Sequence, residues 1–226
     1  ALEESDTRET DRSLQRGWTM PKMIGVLGGM GPAATADFYQ KIIRATPAKA
    51  DQDHLKVLIF SNPQVPDRTA AIQGQGPDPL HMVGETVRAV MAVYPHMRRL
   101  GLLATSGTLG SRLFESYFEP RGLAILIPDP PVQASAVMEA VYAVKHGESL
   151  DRPRCLILEA AEHLQTRGAE AIIAGCTEVP LILEDGDLPI PVIDPTWILA
   201  QAAVSRALEQ DRPVVAVSQR CYKDRG

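Results

Sequence analysis

Short apolar runs closed by glycine or proline alternate with longer stretches of helical periodicity, and this rhythm restricts the fold more than any other feature. "MIGVLGG" (23–29) reads as a buried strand ending in a two-glycine turn, and "PAATADFYQKIIRAT" (32–46) follows with Pro32 suited to a helix's first turn. "KVLIFSNP" (56–63) is a second strand, and 63–79 is a loop dense in Pro, Gly and Asp. "LHMVGETVRAVMAVY" (80–94) carries a helical stripe that Pro95 ends. A strand and turn at 99–108, a helix at 109–118 and a strand at 122–130 come next. The spacing then predicts helices over 132–147 and from Asp151 to Gly168, strands at 169–175 and 188–194, and a closing helix at 195–210. Strands alternating with helices predict an α/β protein with largely parallel sheets.

An internal repeat refines this. "IGVLGGMGPAATADF" (24–38) lies over "LGLLATSGTLGSRLF" (100–114), with Gly25 on Gly101, Leu27 on Leu103, Gly31 on Gly107 and Phe38 on Phe114. Two pseudo-symmetric α/β domains are expected, with strand ends lining a cleft between them. The division reads as a disordered leader at 1–22, a first domain of 23–98 plus 195–226, and a second of 99–194. The halves are unequal. The first lacks a third strand, and symmetry places the missing strand and helix near residues 77 to 82.

Composition narrows the function classes. A net charge of −5 with no basic cluster argues against nucleic acid. No apolar run approaches the ~20 residues of a membrane span, and the polar first twenty residues lack the centre of a secretory signal. Three cysteines in a chain of 226 residues imply no disulfide framework. A reducing cytoplasm is the expected compartment.

The candidate chemistry centres on "AIIAGCTEVP" (171–180), where a strand end presents Cys176 followed by Thr177 and Glu178. A helix start there would lower the thiol pKa through its N–H groups and dipole; an inert buried cysteine is the plain alternative. Cys155 reads as core and Cys221 as incidental. Arg68 offers a planar fork for a carboxylate, or pairs with Asp67 to brace its loop. Lys145 lies in a helix's last turn, where it also complements the dipole. Thr105, Ser106 and Thr108 form a hydroxyl-rich turn that could hold an anion. "LGGMG" (27–31) misses the dinucleotide spacing.

Taken together, "IGVLGGMGPAAT", "NPQVPDRTA", "LGLLATSGTL", "VKHG", "GAEAIIAGCTEVP" and "VIDPTWILA" resemble the aspartate/glutamate racemase family over most of residues 23 to 209. The resemblance implies racemisation of an acidic amino acid without a cofactor or metal, in a homodimer, by two cysteines on opposite faces of the substrate α-carbon. Inversion through a planar carbanion needs acid–base groups on both faces. Cys176 matches the second-half cysteine and Thr177 its substrate-binding neighbour. Arg68 and Lys145 match the residues that grip the side-chain carboxylate, and Met30, Gln64, Thr105 and Thr108 match pocket-lining positions.

One departure stands out. The family's first cysteine sits in a Cys-Asn-Thr-Ala-His motif, on a strand–helix segment that is missing here between Leu80 and His81. Either a segment of the natural polypeptide is left out, and the two Cα atoms lie far apart at the cleft mouth, or the chain is continuous and its first sheet is smaller and rearranged. The exposed apolar surface and open sheet edge of the second account favour the first. The rival functions are a one-cysteine decarboxylase or lyase of the same superfamily, and a non-catalytic binder of acidic amino acids.

Overall fold

The computed structural model describes residues 22–28, 31–61 and 80–209. They form two parallel sheets flanked by helices, the α/β architecture the alternation predicts. In the first sheet β1 (Ile24–Gly28) pairs with β2 (Val57–Ser61), from Ile24 opposite Val57 to Gly28 opposite Ser61. The second has the order β4-β3-β5-β6, built from β3 (Arg99–Leu103), β4 (Ala124–Leu126), β5 (Ala171–Ala174) and β6 (Val192–Ile193). The helices are α1 (Pro32–Ala45), α2 (Leu80–Val93), α3 (Ser106–Gly110), α4 (Leu113–Phe118), α5 (Pro130 to Lys145, π-helical over Gln133–Met138), α6 (Asp151–Thr166) and α7 (Pro195–Ala207).

Local chemistry sets the element starts. Gly31 turns the chain out of β1 at φ 103, a conformation that glycine tolerates, and Pro32 opens α1. Asp194 caps α7, its Oδ1 accepting from the amides of Thr196 at 2.9 Å and Trp197 at 3.2 Å, with Pro195 in the first turn.

Strand alternation divides the second sheet's packing between two faces. Leu103, Ile172 and Ala174 face α5 and α6, beside Val141, Ile157 and Leu164. Leu100, Leu102, Ala171 and Ile173 face the other way, against Val83, Val87 and Val90 of α2, Phe114 and Phe118 of α4 and Ile198 of α7. Helix α2, which a division at residue 98 assigns to the first half, therefore packs in the second sheet's core. The first sheet is covered on one face, where Ile24, Val26 and Val57 meet Phe38 and Ile42 of α1 and Val204 of α7.

One expectation is corrected. The helix read over 109–118 is two short helices, broken at Ser111 and Arg112, where Arg112 takes a left-handed φ of 52. Leu80 and His81 both fall in the first turn of α2. Among the described residues the first sheet has two strands. The cost anticipated for such a sheet is visible, since Leu58 and Phe60 on the uncovered face of β2 are 60 % and 63 % exposed.

Candidate active site

Strands β3 and β5 are neighbours with Leu103 opposite Ala174, so Thr105 and Cys176 leave the sheet side by side at its C-terminal edge. Ligands of open α/β sheets bind outside this edge. Gly175 makes the exit possible. Its amide donates to the Leu103 carbonyl at 2.8 Å, and a Cβ there would come within 2.4 Å of Leu102 Cδ1 and 3.2 Å of Ala104 Cβ.

The thiol of Cys176 is buried. Burial, followed by the negative charge of Glu178, pushes its pKa from an ordinary 9.0 up to about 12; the amides of Val179 and Glu178 pull less strongly the other way. The expected lowering by a helix start does not occur. The helix there is a single 3₁₀ turn, Val179–Leu181, too short to build a dipole, and the buried Glu178 carboxylate stands beside the sulfur. A Cβ added to Gly31, in the turn after β1, would lie 3.8 Å from Glu178 Oε1. The strand ends of the two halves thus face each other across a cleft at Glu178.

Thr105 and Thr108 form a closed turn. The Thr105 hydroxyl accepts from the Thr108 amide at 3.3 Å, and the two hydroxyls are 3.0 Å apart. Thr177 follows Cys176 and is half-buried. Lys145 is in the last turn of α5. Arg154, in the first turn of α6, donates to the Ile182 carbonyl at 3.4 Å and to Asp187 at 2.6 Å, in the segment after Cys176. At the opposite end of α6, Arg167 meets Asp129, just before α5, at 3.0 Å. Helix α5 therefore runs antiparallel to α6, and Lys145 near its end is exposed. Met30, Gln64, Arg68 and Cys221 lie outside the described residues. Cys155 is exposed on α6 rather than part of the core.

One cluster was not legible as a site. Lys41 on α1 is buried and holds Asp194 and Thr196 at 2.7 Å each, as well as Asp37 one turn away. It ties the first half to the point where the chain leaves the second sheet. In sequence, Asp37 and Lys41 read as an ordinary i,i+4 surface pair. Among the described residues no group of three or more His, Cys, Asp or Glu could hold a metal ion, and no helix is long and apolar enough to cross a membrane.

The family model described as Asp/Glu/Hydantoin racemase matches residues 27–79 and 79–203. The chain belongs to this racemase family. The broad specificity amino-acid racemase RacX of Bacillus subtilis is 25 % identical over 230 residues, covering 82 % of this chain and 98 % of RacX. The fold is shared with an aspartate racemase of Picrophilus torridus (TM-score 0.70, 24 % identity, 82 % and 94 % of the two chains). It is shared as well with an aspartate racemase homologue of Pyrococcus horikoshii OT3 (TM-score 0.64, 19 % identity, 83 % and 99 %). At the level of the family, the activity is cofactor-independent racemisation of acidic amino acids.

The comparisons also bear on the departure. Since 82 % of 226 residues is about 185, about 45 of the 230 positions aligned with RacX have no residue of this chain opposite them. The family match is divided at residue 79, one residue before α2 begins.

Proposed function

We propose that Cys176 is the acid–base group on one face of the α-carbon of aspartate or glutamate, in a racemisation that proceeds by proton transfer. The observation that carries this reading is the side-by-side exit of β3 and β5, which brings the thiol beside the Thr105–Thr108 turn. Burial and Glu178 keep the thiol protonated, the form needed to deliver a proton to a carbanion. The reverse direction needs the thiolate. A substrate ammonium entering beside Glu178 would offset that carboxylate's charge and bring the thiol down towards neutrality. In this reading Thr105, Thr108 and Thr177 hold the α-carboxylate end, Arg68 and Lys145 hold the side-chain carboxylate, and Met30 and Gln64 close the pocket.

A second reading has one observation in its favour. Cys155 and Cys176 are the cysteines among the described residues, and Cys155 is exposed on α6. A chain that continues directly from Leu80 to His81 would then protonate one face alone, as a one-thiol lyase does, or would bind an acidic amino acid without turning it over.

A chiral assay of L- and D-aspartate tests the first reading. The wild-type chain should interconvert the two, and Cys176→Ala should abolish both directions with its circular dichroism unchanged. Cys176→Ser should be nearly as inactive, because a serine hydroxyl is far too weak an acid to serve near pH 7. A Cys176→Ala variant that racemises at the wild-type rate would refute the assignment.

A further inference from the structure

We infer that Gln133 is the positioning residue of the Thr105–Thr108 turn. The inference rests on the reading of those two threonines as substrate contacts. Ala104 is where β3 runs out of sheet partners: the last inter-strand bond beside it goes from the Gly175 amide to the Leu103 carbonyl at 2.8 Å. The next carbonyl, that of the buried Ala104, takes its hydrogen bond from a side chain instead. Gln133 Nε2 donates to it at 3.0 Å and to Ser106 Oγ at 3.3 Å. Met138 grips the same turn, its sulfur accepting from the Ser106 amide at 3.4 Å.

The π-helical segment explains how one helix makes both contacts. Gln133 and Met138 are five residues apart, at the two ends of that segment. In an α-helix of 3.6 residues per turn, two such residues point about 140° apart. With i→i+5 bonding they stand one above the other. The wider turn is thus the local solution that lets both side chains reach Ser106, and through Ser106 it fixes the flanking threonines beside Cys176.

Gln133 is nine-tenths buried, and its Oε1 takes no hydrogen bond from the described residues. Gln133→Met therefore removes a donor and an unpaired acceptor together, while keeping the length and burial of the side chain. Its effect should be largest on the turn, although leaving the buried Ala104 carbonyl without a donor also lowers overall stability. Amide hydrogen exchange on the full chain reads the turn directly, and calorimetric titration with L-aspartate reads the site. In Gln133→Met, residues 105–109 should exchange about tenfold faster relative to β5 than in wild type, and aspartate should bind about tenfold more weakly, the scale of one lost hydrogen bond.

Unchanged exchange in the turn would overturn the inference, and so would a loosened turn with unchanged aspartate affinity. A loosened turn in a chain whose wild type binds no aspartate would leave Gln133 as the positioning residue and remove the substrate reading alone. Gln133→Leu, a second substitution that removes the donor to Ala104 and Ser106, covers the case in which Gln133→Met does not fold: it should also speed exchange over residues 105–109, and no change there would also overturn the inference.

Discussion

Cys176 keeps its proton because it is enclosed and because Glu178 is charged beside it, and that has a consequence for stability. A thiol held protonated in the folded chain and released in the unfolded chain stabilises the fold fully below the unfolded pKa. Above it the unfolded state gains by ionising. Stability should fall by about 1.4 kcal/mol per pH unit from pH 9 upward, until the folded pKa of about 12 is reached. Urea unfolding of the wild type and Cys176→Ala at pH 8 and pH 10 isolates this slope, which the variant should lack; equal slopes would contradict the buried, Glu178-facing thiol. The position of Cys176 was legible, because an apolar run ending in Gly-Cys-Thr marks a strand's exit. The direction of its shift was not, because it depends on how short the next helical turn is and where Glu178 turns, and neither is encoded in spacing. Thr105 and Thr108 were readable as a hydroxyl turn, whereas the hold of Gln133 on that turn arises from a π-helical register that no local pattern announces.

At the scale of elements, β2 is the exception in the fold. One face packs Val57 against α1, and the other leaves Leu58 and Phe60 open. Replacing both with threonine, which keeps strand propensity, should change the unfolding free energy by less than about 0.5 kcal/mol, as for surface positions, and should reduce binding of a hydrophobic dye. A loss of several kcal/mol would mean that this face is covered in solution. Most elements were legible from period and punctuation: α1, α2, α6 and α7 fall within a few residues of their predicted limits, since Pro32, Pro95, Gly168 and Asp194-Pro195 act locally. The helix over 109–118 was misread because its break depends on Arg112 adopting a left-handed conformation that no glycine signals. The family match divides at residue 79, just before α2 begins. A chimera carrying the corresponding RacX segment at residue 79 should bury Leu58 and Phe60 and raise the melting temperature; an unchanged melting temperature would separate the open face from the missing segment.

For the molecule as a whole, the two halves are held in register by α7 and by the buried Lys41 cluster. Lys41→Met would leave Asp37 and Asp194, both largely buried, facing each other without their cation. Removing one partner of a buried ion pair costs about 3–5 kcal/mol, so the variant's unfolding midpoint in urea should drop accordingly; a shift below 1 kcal/mol would show that the pair contributes little. In the proposed reading the cleft, the parallel sheets and the strand-end thiol form one frame for proton transfer at an α-carbon, and deuterium tests that claim most directly. Aspartate incubated with the wild-type chain in heavy water should acquire deuterium at Cα with inversion, and Cys176→Ala should show no exchange above the uncatalysed rate. Exchange confined to one enantiomer with retention would point to a single working face. Absence of exchange from both enantiomers, in a chain that binds aspartate, would contradict the assignment of Cys176 as an acid–base group.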